Sequence, residues 1–252
     1  MKRRLDQLLV ERDLAPSRTQ AQALIMAGLV SADGRRLDKP GLMVPEDLVL
    51  QVKHQPRYVS RAGEKLASVV EALGLEFAGQ TVLDVGSSTG GFTDFALQQG
   101  AARVYCVDVG TNQLAFKLRQ DERVVVMERT DIRAVTLGDG ATGGVGAAAA
   151  LPAAVDMAVM DVSFVSLTKV LEATRALVKP GGVIVAMAKP QFEAGKALAD
   201  KYHGVIPLGA EREAVLEELR HWLLEHGFTI LAEANSGLAG AEGNVERFFK
   251  LL

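Results

Sequence analysis

Between Thr81 and Pro190 the chain carries five apolar runs, TVLDVG, RVYCVDVG, VVVME, DMAVMDVSF and GGVIVAMAKP, and none alternates polar with apolar residues. An alternating run buries one face of a strand, whereas a continuous run buries both, as in parallel sheets covered by helices. Helical segments separate most of these runs, so the rhythm predicts a doubly wound α/β domain. After the helical stretch AEREAVLEELRHWLLEHG, two more strands, FTILAEANS and NVERFFKLL, close the domain as a hairpin-like pair. One stretch breaks the rhythm. LGDGATGGVGAAAALPAA is rich in Gly and Ala and reads as a mobile surface loop.

The amino-terminal part obeys a different pattern. Leu5, Leu8, Leu9 and Leu14 recur with helical period, Ser17 is placed to cap a second helix, and Gly28 stops it. The turn ADGRRLDKPG is expected to join two short strands, Leu29–Ser31 and Leu48–Val52, and KHQPRYVSRAG reads as a connector. The expected division is therefore a small α+β unit over 1–59 and a large α/β unit over 60–252. Residues 1–59 hold ten Lys/Arg against seven Asp/Glu, and the remainder holds 18 against 24. A basic module beside an acidic one suits a grip on a polyanion. No apolar run approaches the ~20 residues needed to span a bilayer, and a single cysteine, Cys106, forms no internal disulfide, so a cytoplasmic protein without a membrane partner is expected. The four histidines show no metal-ligand spacing, and no metal is expected.

In open α/β sheets ligands bind beyond the carboxyl ends of the strands. The stretch DVGSSTGG stands at that place, with Asp84 and Gly86 ending the first strand and Gly90 and Gly91 opening a helix. Glycines there let backbone approach a ligand. Ser87 and Ser88 stand where a pyrophosphate cradle needs closer glycine packing, which disfavours a dinucleotide. Asp108 ends the second strand, where a carboxylate accepts from ribose hydroxyls, and Asp131 follows the third, within reach of an adenine amino group. Ribose plus adenine without pyrophosphate favours S-adenosylmethionine (SAM), with another ligand of a doubly wound fold as the alternative.

The motifs RLDQLLVERDLAPSRTQAQALIMAGLV, RYVSRAGEKL, DVGSSTGGFTDFALQQGA, VDVGTNQLAFKLRQDERVVVMERTDIR, DVSFVSL, KPQFEAG and GNVERFF together resemble the TlyA family of rRNA methyltransferases, also labelled hemolysin A. Residues 81–252 are similar to the FtsJ (RrmJ) class of ribose 2′-O-methyltransferases. The resemblance implies a Rossmann-like SAM-dependent methyltransferase domain preceded by an RNA-binding domain like that of ribosomal protein S-four. It further implies SAM as cofactor, ribosomal RNA and ribosomal subunits as partners, and 2′-O-methylation of cytidine.

FtsJ-like enzymes use a Lys-Asp-Lys-Glu set, and the resemblance places it on Lys65, Asp161, Lys189 and Glu246. Asp161 and Lys189 follow the fourth and fifth strands, and Glu246 opens the last one. If that last strand runs antiparallel, its start lies at the same sheet edge. The 2′-hydroxyl must lose its proton as its oxygen attacks, whereas the sulfonium of SAM already leaves readily, so the task is proton removal plus in-line positioning. Lys189, emerging from an apolar strand, is expected either to take that proton as a neutral amine or to steady the developing alkoxide as an ammonium, with Asp161 orienting it. Phe192 stands beside it, as a substrate contact or as core. By the same resemblance Arg4 and Arg18 face RNA phosphates, with Lys2 and Arg3 adding charge. Two other readings stand beside this one: a non-catalytic RNA-binding assembly factor, which needs no such set, and a pore-forming hemolysin, for which no amphipathic or spanning segment long enough supports insertion.

Overall fold

The computed structural model describes residues 2–53, 57–138, 149–240 and 243–252. It divides into two units, Met1–Pro56 and Arg57–Leu252.

The first unit begins with a short strand, β1 (Lys2–Arg4), followed by helices α1 (Leu5–Glu11) and α2 (Arg18–Met26). Ser17 caps α2, its side chain accepting from the Gln20 amide, and Gly28 takes the left-handed conformation that ends the helix region. Four short strands follow: β2 (Val30–Ala32), β3 (Arg35–Arg36), β4 (Met43–Pro45) and β5 (Gln51–Val52). The turn works differently from the sequence expectation. Asp33 and Gly34, both with positive φ, close a tight hairpin between β2 and β3, and β5 pairs with the other side of β2. The residues just before α1 form strand, β1 pairing antiparallel with β4. Leu5, Leu8, Leu9, Ile25 and Val30 pack into one small core.

In the second unit, α3 (Arg61–Ala67) precedes a Rossmann-like succession: β6 (Thr81–Val85), α4 (Gly91–Gln98), β7 (Arg103–Asp108), α5 (Phe116–Arg119) and β8 (Val124–Glu128). Then come β9 (Thr136–Leu137), β10 (Ala150–Leu151), β11 (Val155–Met160), α6 (Leu171–Arg175), β12 (Val178–Ala188), α7 (Pro190–Glu193), α8 (Gly195–Lys201), α9 (Ala210–Glu225), β13 (Ile230–Asn235) and β14 (Arg247–Leu251). Seven strands form one sheet in the order β13-β14-β12-β11-β6-β7-β8, parallel except where β14 pairs with β12 and β13. Successive side chains point to opposite faces. Leu83 and Val85 join one core with Leu171 and Leu216, and Val82 joins the other with Leu66 and Phe92. Both faces are covered, which is why the strands read as continuous apolar runs.

Of two loop readings, one lies largely outside the described residues and the other is corrected. The Gly/Ala-rich stretch is anchored at both described ends: β9 and β10 pair in parallel and Ala150 and Leu151 are buried, while residues 139–148 lie outside the described residues. The supposed connector already belongs to the second unit's core from Tyr58 onward. That ring is buried 5.4 Å from Phe95, and the Val59 amide donates to Asp94. His54–Pro56 lie outside the described residues.

Candidate active site

β11 and β12 run parallel and end at the same sheet edge, so Asp161 and Lys189, each the first residue past its strand, come side by side. β14 runs the other way, and its first residue, Arg247, is registered against Ala188, so Glu246 arrives at that edge too. α3 supplies Lys65 from its last turn. Lys189 Nζ is 2.7 Å from Asp161 Oδ1 and donates to Ser163 Oγ at 2.6 Å. Lys65 Nζ donates to Glu246 Oε1 at 2.5 Å. A cavity of about 230 Å³ is lined by Lys65, Asp161, Ser163, Lys189, Phe192 and Glu246. The four residues of the implied set are thus gathered at one site.

The electrostatics are uneven. Burial holds the Asp161 carboxyl above its ordinary range, opposed by the neighbouring Lys189 and, more weakly, by Lys65. Glu246 is almost wholly buried, and its Oε2 has no hydrogen-bond partner among the described residues. A buried acceptor left unpaired is costly, and this one belongs to a side chain on the cavity wall. Asn244 fixes the chain just before it: its Oδ1 accepts from the Ile206 amide and its Nδ2 donates to the Gly204 carbonyl.

A larger cavity of about 530 Å³, a size ordinary for small-molecule sites, lies along the ends of β6, β7 and β11 and includes Gly86, Ser88, Asp108, Asp131, Asp161 and Phe164. A smaller one of about 170 Å³ shares Gly86, Ser88 and Asp161 with it and adds Asp84, Ser87 and Gly91. Asp84 is fully buried. Thr93 Oγ1 donates to its Oδ2 at 2.6 Å, its Oδ1 has no partner among the described residues, and burial pushes its pKa up to about 7. Asp108 accepts from the amides of Ser88 and Gly110, both at 2.7 Å, which shapes the turn after β6. Carboxylates at adjacent strand ends, one of them with an unpaired oxygen, fit a ligand carrying positive charge and hydroxyl groups, as SAM does.

The glycines divide by role. Gly86 has φ +80, and a Cβ there would come within 2.8 Å of the Asp161 carbonyl, so glycine keeps β6 and β11 ends close at the cavity wall. Gly90 (φ +91) is a packing position instead, where a Cβ would strike Leu118 and Leu114, whereas Gly91, where a Cβ would strike Ser60 and Ala62, lines the smaller cavity together with them. Of the two glycines expected to let backbone approach a ligand, Gly91 thus stands on a cavity wall and Gly90 lines none of the three cavities. Asp131 is also spoken for in part. Its carboxylate caps the 3₁₀ turn Ile132–Ala134 and pairs with Arg133.

In the small unit Arg4 and Arg18 converge on Asp6, a fully buried carboxylate. Arg4 bonds it bidentately at 3.0 Å, Arg18 at 2.9 Å, and Gln22 donates as well, which holds the carboxyl well below its usual range. Both guanidinium groups remain half-exposed. Arg3 pairs with Glu46 and Glu11, and Lys2 is exposed. Sequence reasoning missed Asp6, since an acid in a basic segment carries no signal of its own. It also missed Phe164, which is 92% exposed at φ +63 with its ring 5.2 Å from that of Phe192.

Comparison with known proteins places this geometry among relatives. A profile described as FtsJ-like methyltransferase matches residues 58–251, and one described as S4 domain matches residues 3–50. A Mycobacterium tuberculosis protein named 16S/23S rRNA (cytidine-2′-O)-methyltransferase TlyA is 41% identical over 250 residues, covering 98% of this chain and 89% of its own. Hemolysin A of Brachyspira hyodysenteriae is 35% identical, covering 96% and 97% respectively. Among solved structures, one described as a hemolysin from Streptococcus thermophilus superposes with a TM-score of 0.71 at 38% identity, covering 99% of this chain and 88% of that one.

Proposed function

The chain belongs to the FtsJ-like methyltransferase family and carries an S4 domain, and from that premise we propose that it transfers the methyl group of SAM to the 2′-oxygen of a cytidine in ribosomal RNA. The observation that carries the reading is the meeting of Lys65, Asp161, Lys189 and Glu246, drawn from four distant segments, on one cavity wall beside a nucleoside-sized pocket. SAM, when bound, supplies a methyl group on a cationic sulfur that leaves without further activation. The residues that would hold it are Gly86, Ser87 and Ser88 at the turn, with Asp84, Asp108 and Asp131 as acceptors around it.

The chain's own contribution is to orient the ribose and manage one proton. Lys189 stands between Asp161 and Ser163, so its nitrogen is fixed on two sides while it faces the cavity. As a neutral amine it takes the 2′-proton, and as an ammonium it steadies the developing alkoxide. Asp161 sets its direction. Lys65 and Glu246 complete the wall, and the exposed face of Phe164 offers a surface for a base to stack on. Arg4, Arg18, Lys2 and Arg3 would meet RNA phosphates, giving affinity from shape and backbone rather than from base readout. A non-catalytic assembly factor would retain the basic unit but have no use for this arrangement. Among the described residues no helix is long and apolar enough to cross a membrane, and a cytoplasmic place beside assembling ribosomes accompanies the proposal.

The test is transfer of a tritiated methyl group from SAM to isolated subunits and to free rRNA, followed by mass mapping of the labelled nucleotide. Label on a cytidine ribose supports the reading. Label on a base, or none on the subunits or on free rRNA, overturns it.

A further inference from the structure

Two motifs near the site hold polar residues that the chemistry above leaves unused: Ser166 in DVSFVSL and Glu193 in KPQFEAG. Lys189 and Glu193 bracket α7, one helical turn apart, with the Phe192 and Glu193 amides donating back to the Lys189 carbonyl. From the far end of that turn, Glu193 reaches across to the loop that follows β11. Its Oε2 accepts from Ser166 Oγ at 2.6 Å and its Oε1 from the Leu167 amide at 3.0 Å. Ser166 in turn caps the 3₁₀ turn Leu167–Lys169.

The segment from Asp161 to Leu167 is therefore an arch fastened at both ends to the same helical turn. At one end Lys189 meets Asp161 and Ser163, and at the other Glu193 meets Ser166 and Leu167. Between the two lies Phe164 in a left-handed conformation that a bulky side chain rarely adopts. Its ring rests beside that of Phe192 on the same turn. Burial raises the Glu193 carboxyl, so the fold keeps an acid where water would suit it better. No atom of Glu193 lines the cavity described above.

Resting on the proposed methyl transfer, we infer that Glu193 is a positioning residue for it, acting through Ser166 and Leu167. It holds the arch so that Asp161 and Ser163 stay within hydrogen-bond reach of Lys189. Displacements of about 1 Å at a reacting centre cost roughly 10²-fold in rate, so a clasp one turn away has leverage over the chemical step without touching substrate.

The experiment compares the full-length chain with Glu193→Ala, Ser166→Ala, the double variant and Glu193→Gln. It reads single-turnover methyl transfer at saturating SAM and rRNA, SAM affinity by calorimetry, and the thermal midpoint. Glu193→Ala and Ser166→Ala are each expected to slow transfer about tenfold or more while SAM affinity stays within about twofold. The double variant is expected to be no slower than the slower single one, because both break the same clasp. Glu193→Gln keeps an acceptor for the Leu167 amide and gains a donor toward Ser166, so it should retain most of the rate. Wild-type transfer by Glu193→Ala, multiplicative loss in the double variant, or parallel loss of SAM affinity overturns the inference. Should Glu193→Ala fail to fold, Ser166→Ala decides, and an unchanged rate there overturns it as well. The wild-type chain separates the two levels. If it labels no RNA, the proposed function falls; if it labels RNA and the variants match it, only the clasp falls.

Discussion

Lys65 Nζ lies 2.5 Å from Glu246 Oε1 although 181 residues separate them, and both side chains are nearly closed off from water. Removing one partner of such a pair leaves an uncompensated buried charge, at a cost of about 3–5 kcal/mol. Lys65→Ala should therefore lower the thermal midpoint clearly, and Lys65→Met with Glu246→Leu should restore it. If the pair belongs to the reaction, the double variant regains stability and stays inactive. Recovery of methyl transfer along with stability would reduce the pair to a structural one.

Lys189 is the most direct test of the chemistry. General acid–base groups contribute roughly 10²–10⁴-fold, so Lys189→Ala should slow single-turnover transfer at least about 10²-fold while SAM and rRNA affinities hold. Lys189→Arg should fail too, because a guanidinium keeps its proton. A near-normal rate in the Arg variant would leave only an electrostatic role.

Asp84 makes a pH prediction with a definite sign. Its folded pKa is about 7 against an ordinary 3.8. From about pH 4 to pH 7 the folded chain holds a proton that the unfolded chain releases, so stability falls as pH rises through that window and stays low above it. Asp84→Asn keeps an acceptor for Thr93 and carries no charge. In the absence of SAM it should raise the thermal midpoint at pH 8 and have little effect at pH 4.5. A gain independent of pH would show that desolvation of Asp84 is not the cause.

Asp108 tests the cofactor assignment. Loss of a charge-assisted hydrogen bond costs about 1.5–3 kcal/mol, so Asp108→Ala should weaken SAM binding by about one to two orders of magnitude in calorimetry. Part of that loss comes through the turn, since Asp108 also holds the Ser88 and Gly110 amides. Unchanged affinity would remove Asp108 from the cofactor site.

Arg4 and Arg18 test the basic unit. Changing either to Gln should weaken rRNA binding and flatten its logarithmic salt dependence by about one per lost phosphate contact. SAM binding should be unaffected. Weaker RNA binding with an unchanged salt slope would mean that these arginines serve Asp6 alone.

The parallel sheet was legible in the residues themselves, because burial on two faces forces runs such as GGVIVAMAKP to be apolar throughout, and that demand is local. Ser17 and Gly28 were legible for the same reason: a cap or a left-handed stop depends only on its immediate neighbours. The Lys-Asp-Lys-Glu set was readable only through likeness to relatives, since nothing near Lys65 says that Glu246 will meet it. The tertiary structure alone decided the rest. It turned Gly90 into a packing position against Leu114 and Leu118, paired β5 with the free side of β2 and put Tyr58 in the core. It also placed Asp6 beneath two arginines and Glu193 against Ser166. Hydrophobic patterning acts along the chain and constrains each strand separately, whereas the roles of charged and small residues depend on which distant groups the sheet brings within about 3 Å, where hydrogen bonds form.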